Sequence, residues 1–275
     1  MDRTLAHTQK RIDMEKAEAS ASDASESEED VTPGVEILYK SGKRKVVLGQ
    51  GQTVVKSGAE IRPAEAAALR FASGAGIPAP LLHDVFTDNG IVAIRMEYVP
   101  GQTLDKLWPS MSLGQKRNIA DQLHQILKQM RELEPPPNYI GCCDGTGIRD
   151  TRVRFTYYGP VCNDEVQFNE YLESTLFRQI SSMLRTSLRG QLRTGHRIVF
   201  THGDLAPRNI VVQDGRISGI VDWEESGWYP EYWELVKFFE RPTEGDWKEY
   251  ADAIFPTLYP AELVTYTAMS KWRHH

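Results

Sequence analysis

Three oxygen-bearing side chains stand at spacings that suit phosphoryl transfer. Residues 201–209 are Thr-His-Gly-Asp-Leu-Ala-Pro-Arg-Asn, and Asp222 follows in Ile-Val-Asp-Trp-Glu. Asp204 can accept the proton of a substrate hydroxyl. Asn209 and Asp222 offer the hard oxygen ligands that Mg²⁺ prefers. The pattern predicts a site where a metal-bound triphosphate meets an acceptor hydroxyl.

The elements around these residues must bring them together. Apolar runs predict three strands: residues 197–200, 210–212 and 217–221. Asp214 and Gly215 separate the last two runs and are typical of a two-residue hairpin turn. Asp204 and Asn209 are then expected on a tight loop, and Asp222 at the end of the hairpin. All three side chains can therefore surround one metal-bound triphosphate.

The whole set, His-Gly-Asp-x-x-x-x-Asn followed by Asp-Trp-Glu, resembles the aminoglycoside phosphotransferase and choline kinase branch of the protein-kinase-like fold. Residues 159–172 and 223–234 are especially similar to fungal members of the phosphotransferase family. An isolated Asp or Asn after a strand is more often a turn former or a helix cap, so the joint pattern carries the interpretation. In the resembled fold the equivalent of His202 braces the loop, and we assign it no proton chemistry.

The resemblance implies an α+β, protein-kinase-like two-lobed fold. A small antiparallel β-sheet N-lobe with one helix is expected over residues 33–99, and a mainly helical C-lobe over residues 100–275. In the N-lobe the residue patterns predict strands over 35–39, 45–48, 53–56 and 90–98, and a helix over 63–73. In the C-lobe they predict helices over 112–133, 165–188, 232–239, 246–255 and 261–270.

Lys56 and Glu65 are the candidate phosphate-binding pair. Lys56 ends an apolar strand, and Glu65 lies near the start of the next helix. The resemblance implies that the lysine holds the α- and β-phosphates of ATP and that the glutamate positions it. A surface lysine and a glutamate that stabilises a helix start are the alternative. Residues 96–99 resemble a kinase hinge, where adenine would bind the carbonyl of Glu97 and the amide of Val99; an ordinary strand end is the alternative there.

Several departures from protein kinases favour a small-molecule acceptor. The loop Gly-x-Gly-x-x-Gly is absent, and Gly49 and Gly51 are more typical of a hairpin turn. Gly203 replaces the arginine that reads a phosphorylated activation loop, and no Ala-Pro-Glu element is present. Ala206 stands where protein kinases usually have a phosphate-binding lysine, and the role of Arg208 stays open.

We therefore predict an ATP- and Mg²⁺-dependent transfer of the γ-phosphoryl group to a hydroxyl of a small molecule. A catalytically silent pseudokinase-type scaffold and an atypical protein kinase are the alternatives. The sequence leaves the acceptor open, as well as the choice between ATP and GTP. Residues 223–234 combine four glutamates with several aromatic residues, which either hold a cationic substrate or pack the core.

Composition limits the partners and the compartment. A net charge of −6 argues against a general nucleic-acid binder, because such proteins usually carry a basic face. No apolar run reaches the length of a membrane span, and no secretory signal is expected. The three cysteines fit a reducing compartment, so we expect a cytoplasmic protein of undetermined oligomeric state. Residues 1–32 are rich in Ser, Glu and Asp and are expected to form a disordered tail.

Overall fold

The computed structural model describes residues 36–42, 44–88, 90–152 and 155–273. The tail predicted over residues 1–32 lies outside the described residues. The remaining chain begins with a β-sheet region and continues into a largely helical region, which confirms the predicted α+β architecture. The lobe boundary between residues 99 and 100 stays a prediction.

The sheet region has five strands in the order β1-β2-β3-β5-β4. Its strands are β1 (Glu36–Ser41), β2 (Arg44–Gly49), β3 (Thr53–Ser57), β4 (Leu82–Asp88) and β5 (Ile91–Glu97). Antiparallel ladders join β2 to β3, β3 to β5 and β4 to β5. Side chains alternate between the two faces of a strand, and Val54 and Lys56 share the buried face of β3. The predicted lysine therefore points into the protein from the central strand.

Among the described residues, one helix accompanies this sheet, as predicted. Helix α1 (Pro63–Gly74) has Pro63 in its first turn, where the missing N–H of proline has no consequence. Its buried face carries small residues and Leu69, together with the acidic side chain of Glu65. The small residues let α1 lie close to the turn at Trp223–Glu225, which directly follows Asp222.

The helical region contains the elements α2 (Leu104–Leu107), α3 (Leu113–Arg131), α4 (Glu165–Ser174), α5 (Ser182–Arg189), α6 (Trp233–Glu240), α7 (Ala251–Ile254) and α8 (Pro260–Ser270). Helix α3 begins with a capping box between Ser112 and Gln115. It buries the predicted apolar stripe that includes Ile119, Leu123 and Leu127. This helix contacts the hairpin that precedes Asp222, since Gln122 accepts the N–H of Ile217 at 2.9 Å.

Two predicted helices are wrong in extent. The helix expected over 165–188 is split into α4 and α5, because the N–H of Phe177 donates to the carbonyl of Trp272 at 2.7 Å and Leu176 pairs with Arg273. Ser181 then caps a new helix start. The helix expected over 246–255 is a 3₁₀ turn (Trp247–Tyr250) followed by the short α7. A long-range contact therefore overrides the helical pattern between α4 and α5.

Eight short strands complete the helical region: β6 (Gln102–Thr103), β7 (Gly141–Cys142), β8 (Arg149–Thr151), β9 (Thr156–Tyr158), β10 (Ile198–Thr201), β11 (Ile210–Gln213), β12 (Arg216–Ile220) and β13 (Gly227–Pro230). The predicted hairpin is present as β11 and β12. Asp214 and Gly215 both have positive φ (51° and 74°), which two-residue turns of this kind require. Strand β10 pairs with β13 and leads into the loop that holds Asp204.

The aromatic residues after Asp222 belong to the core. The buried ones are Trp223, Trp228, Tyr229, Tyr232 and Trp233. Phe200 stacks on Trp223 at 5.7 Å, and Phe168 meets Trp233 edge-on at 5.1 Å between ring centroids. Core packing, one of the two roles that the sequence left open, is the role that the structure gives them. In the described part of the chain, every helix is too short or too polar to cross a membrane.

Candidate active site

The loop between β10 and β11 is held by buried backbone contacts. Gly203 has φ of 81°, and a Cβ there would lie 2.7 Å from the carbonyl oxygen of Glu225, so only glycine fits. The Glu234 carboxylate accepts the N–H of His202 at 2.6 Å and that of Gly203 at 3.1 Å. The first turn of α6 thus fixes the start of this loop.

His202 braces the loop. It is completely buried, and its Nε2 lies 3.1 Å from the carbonyl oxygen of Val221. The N–H of Asp204 donates to its Nδ1 at 3.2 Å. These partners fix the neutral tautomer with hydrogen on Nε2. Burial lowers the pKa of His202, which agrees with a neutral ring that positions Asp204 and Val221.

Asp204 is buried and held from two sides. Its Oδ1 lies 2.9 Å from Nε of Arg241, a buried side chain. Its Oδ2 accepts from Nδ2 of Asn209 at 3.0 Å and from Nη2 of Arg208 at 2.5 Å. The predicted base therefore has one orientation, set by three groups that follow it by 4 to 37 positions along the chain.

Asn209 lies beside Asp204 and close to Asp222 in the fold. Its side-chain amide donates to the backbone carbonyl and to Oδ2 of Asp204. The backbone carbonyl of Asn209 accepts the N–H of Val221 at 2.8 Å, so Asn209 lies opposite the residue that precedes Asp222. Within the described residues no donor holds its Oδ1, so that oxygen stays available to a cation.

Asp222 connects this loop to the sheet region. Its backbone is left-handed, with φ of 65° and ψ of 62°, a conformation that is costly for a side chain with a Cβ. Nζ of Lys56 lies 2.6 Å from Oδ1 of Asp222 and also 2.6 Å from Oε1 of Glu65. The structure therefore brings together the predicted lysine, its predicted partner Glu65 and the predicted metal ligand.

The charges in this cluster stabilise one another. Burial alone would raise the pKa of Asp222, but the charges of Lys56 and Arg44 outweigh it and hold the pKa well below its usual range. Burial alone would lower the pKa of Lys56, but Asp222 and Glu65 raise it above the ordinary value. Asp222 is thus ionised and Lys56 is charged over the whole physiological range.

Sequence reasoning missed two arginines that complete this cluster. Nη2 of Arg44 lies 3.1 Å from Oδ1 of Asp222 and 2.9 Å from Oε2 of Glu224. Arg149 contacts Glu224 at 3.2 Å and Glu225 at 2.9 Å. Arg44 begins β2, directly after the turn that joins β1 to β2. The signal that could have found Arg44 was its position next to a short turn between two predicted strands. Gly49 and Gly51, in contrast, lie where β2 is joined to β3.

The donor atoms present fit a magnesium ion. Carboxylate oxygens of Glu65, Asp222 and Glu224 all lie within 4.8 Å of one another. Asn209 offers its amide oxygen from the neighbouring loop, and hard oxygen donors are what Mg²⁺ prefers. Oε2 of Glu65 is buried and accepts no hydrogen bond from the described residues, so this cluster has unused acceptor capacity.

Of the two predicted hinge residues, Glu97 ends β5 of the same sheet, and Val99 lies two positions beyond the end of that strand. Lys56 pairs with Ile94, and Thr53 pairs with Glu97, so Glu97 lies about 10 Å along the ladder from the lysine. The N–H of Val99 has no backbone acceptor among the described residues. The side chain of Val99 packs against Gly219 in β12. Adenine binding at Glu97 and Val99 stays a prediction.

The fold and this arrangement define a kinase-like phosphotransferase. A model of the phosphotransferase enzyme family matches residues 45–269, and the chain therefore belongs to that family. Its special similarity to fungal members stays a prediction.

Three solved structures are similar in fold. Aminoglycoside-3'-phosphotransferase of type VIII is 18% identical, with 87% of this chain and 94% of that chain covered and a TM-score of 0.57. A thermostable mutant of aminoglycoside phosphotransferase APH(4)-Ia, in a ternary complex with ADP and hygromycin B, is 13% identical, with 86% and 83% covered and a TM-score of 0.63. Macrolide 2'-phosphotransferase MphH from Brachybacterium faecium is 18% identical, with 86% and 82% covered and a TM-score of 0.54. These likenesses confirm the predicted protein-kinase-like fold.

Proposed function

We propose that this protein transfers the γ-phosphoryl group of ATP to a hydroxyl of a small molecule with the help of Mg²⁺. One observation carries the proposal. The Lys56–Glu65–Asp222 contact and the Asp204–Asn209 pair are joined through the backbone bond between Val221 and Asn209. It supports a single site in which the phosphate-binding, metal-binding and proton-accepting groups that we assign act together. The acceptors named for the similar structures, an aminoglycoside and macrolides, are small molecules, which supports the same acceptor class here.

Asp204 orients the acceptor hydroxyl and takes its proton. The acceptor oxygen forms a bond to phosphorus as the bond between phosphorus and the ADP oxygen breaks, and Asp204 later releases the proton to solvent. The transition state of such transfers is loose, so positioning contributes more than base strength. Arg241 and Asn209 supply that positioning, because both hold the Asp204 carboxylate.

Lys56 holds the phosphates, and Glu65 keeps the ammonium group of Lys56 directed toward them. Asp222 and Asn209 hold Mg²⁺. Bound Mg·ATP supplies the transferable phosphoryl group and an electrophilic metal. Arg44 lies on the same carboxylates and adds positive charge where phosphate oxygens will be. Glu97 and Val99 bind adenine through their backbone groups.

The charges near the site favour a neutral or anionic acceptor over a polycationic one. The glutamates that could have formed a cationic pocket are already engaged. Glu224 contacts Arg44 and Arg149, and Glu225 contacts Arg149 and Thr151. Glu231 accepts the backbone N–H of Arg197, and Glu234 holds the loop. A cationic substrate would therefore gain little from them.

A panel of hydroxyl compounds tests this function. Purified protein is incubated with Mg·ATP and neutral, anionic or cationic alcohols, and formation of ADP and of a phosphorylated product is measured. We expect transfer to neutral or anionic members, lost in Asp204→Asn. If radiolabelled phosphate from ATP is transferred instead to proteins of a cell lysate, an atypical protein kinase is favoured. ATP binding without any transfer would favour a scaffold, although Lys56, Asp204, Asn209 and Asp222 are all in place.

We also propose a cytoplasmic location. The three cysteines, Cys142, Cys143 and Cys162, are free thiols. Free, largely buried thiols suit a reducing compartment. Fluorescence of a tagged chain in its native cell, diffuse in the cytoplasm, is the expected result, and exclusive accumulation in an oxidising compartment would contradict it.

A further inference from the structure

We propose that Arg208 is the side chain that binds the γ-phosphoryl group, and that it leaves Asp204 to do so when nucleotide binds, which frees Asp204 for the acceptor. This inference rests on the proposed function. It adds a catalytic residue to the site, because Arg208 would touch the transferred group itself.

Arg208 differs from every other basic side chain that contacts the acidic groups of the site in the described part of the chain. The others are Arg44, Lys56, Arg149 and Arg241, and each has at least two partners. Arg208 contacts Asp204 alone, and 47% of its side chain is exposed, compared with 8% for Arg241. An exposed ion pair with one partner contributes little to stability, so Arg208 can be displaced readily.

The geometry of Asp204 requires that displacement. Its Oδ1 is buried and lies against Arg241, so an acceptor hydroxyl can approach only Oδ2. Arg208 now occupies that oxygen at 2.5 Å. When Arg208 moves away, Arg241 and Asn209 still hold the carboxylate in its orientation. The base is therefore released without losing its position.

The phosphoryl group will lie within the reach of Arg208. A base lies about 3 Å from the oxygen whose proton it takes, and that oxygen attacks from about 3–3.5 Å. The phosphorus is then within about 6.5 Å of Oδ2 of Asp204. The guanidinium of Arg208 lies next to that oxygen. A planar guanidinium can donate two parallel hydrogen bonds to phosphoryl oxygens. Such a cation stabilises the charge that spreads over those oxygens during transfer.

Nucleotide affinity tests the inference without requiring turnover. Calorimetry measures Mg²⁺-dependent binding of ADP and of the non-hydrolysable β,γ-imido analogue of ATP to wild type, Arg208→Gln and Arg208→Lys. Wild type should bind the analogue roughly ten- to a hundredfold more tightly than ADP, as expected for a hydrogen-bonded charge pair. Arg208→Gln should lose most of this ratio with its ADP affinity unchanged, and Arg208→Lys should retain part of it. Arg216→Gln, at an exposed arginine that begins β12, is the matched control and should keep the full ratio.

The outcomes separate this inference from the proposed function. Unchanged ADP affinity in Arg208→Gln shows that the variant is folded. An unchanged ratio in that variant, or equal affinities in wild type, overturns the role of Arg208 and leaves the proposed function standing. A wild type that binds neither nucleotide overturns both. In turnover assays with an identified acceptor, we expect Arg208→Gln to lower kcat with little change in KM for the acceptor.

Discussion

Two buried charge networks in this protein have similar composition and different surroundings. The cleft network consists of Arg44, Lys56, Glu65, Asp222 and Glu224. The lobe network consists of Asp150, Arg152, Lys237, Glu240 and Arg273. Both pair lysine and arginine with carboxylates at short distances. Only the first contains residues to which we assign chemistry.

Exposure and strain distinguish the two networks. Lys237 and Asp150 are both fully buried, and Lys237 donates to Asp150, to the carbonyl of Thr151 and to Glu240. In the cleft network, 27% of the Asp222 side chain is exposed, and its backbone is left-handed. A network that is closed to solvent holds a fold together, whereas a partly exposed one with a strained member suits a ligand. Burial and charge alone therefore do not identify a functional site.

We expect the largest difference between substitutions of two buried aspartates, Asp204 and Asp150. Asp204→Asn should reduce phosphoryl transfer about 10²- to 10⁴-fold, because the amide cannot accept the proton, and nucleotide binding should persist. Asp150→Asn, the matched change in the lobe network, should leave Mg·ATP binding intact and lower thermal stability. Turnover and unfolding measured on both variants check the contrast. Wild-type turnover in Asp204→Asn would rule out its role as the base.

The next contrast concerns two buried lysines. Lys237→Met should destabilise the protein by about 3–5 kcal/mol, because it leaves Asp150 and Glu240 buried without their shared cation. Lys56→Met should cost less, because Arg44 still contacts Asp222 and that carboxylate is partly exposed, but it should abolish stabilisation by Mg·ATP. Urea unfolding of both variants measures the difference. Equal losses of stability would show that the cleft network is structural as well.

The dependence of stability on pH should differ between two buried carboxylates. Burial alone would raise the pKa of Asp150, but Lys237 and Arg152 lower it, so its contribution is present above the unfolded pKa of about 3.9 and is lost as pH falls below it. Burial raises the pKa of Glu234 to about 7 against the opposing hydrogen bonds from His202 and Gly203. The folded state then binds more protons than the unfolded state between about pH 4.3 and 7, so stability falls as pH rises through this window.

Glu234→Gln isolates that second effect. The variant keeps an oxygen acceptor for the loop but cannot ionise, so its unfolding free energy should be flatter between about pH 4.3 and 7 than that of wild type. Denaturant unfolding at several pH values measures both slopes. An identical slope in wild type and variant would show that Glu234 does not titrate in this range.

The smallest effect separates the two arginines on Asp204. Arg208→Gln should change the unfolding free energy by less than about 1 kcal/mol, because the ion pair that it removes is exposed. Arg241→Gln should be clearly more destabilising, because it removes buried bonds to Thr151 and Gly203 as well as the contact with Asp204. Similar losses in the two variants would mean that Arg208 is held more firmly than its exposure indicates.

Local motifs made much of the site predictable. The spacing of Asp204, Asn209 and Asp222 and the turn at Asp214 and Gly215 depend on neighbours in sequence, and the structure has the hairpin where it was expected. Lys56 and Glu65 are nine residues apart and meet as predicted. Their catalytic and binding roles stay proposals.

Other features depend on partners that are distant in sequence. Arg44 and Asp222 are separated by 178 positions, so the turn beside Arg44 could mark the residue but not predict its contact with Asp222. The break between α4 and α5 has the same origin, since the chain there bonds to Trp272 near the far end of the described residues. Glutamates and aromatic residues after Asp222 have a composition that suits a pocket, and only their contacts show that they are engaged or buried.

Thermal unfolding with and without Mg·ATP, on wild type and Asp222→Ala, tests the central claim most directly. Nucleotide at about a hundred times its dissociation constant should add roughly 2.7 kcal/mol to wild type, which raises the midpoint by roughly 5–10 °C. We predict a magnesium-dependent rise in wild type that Asp222→Ala removes. No rise in wild type, or an equal rise in the variant, would contradict a nucleotide site built around Asp222.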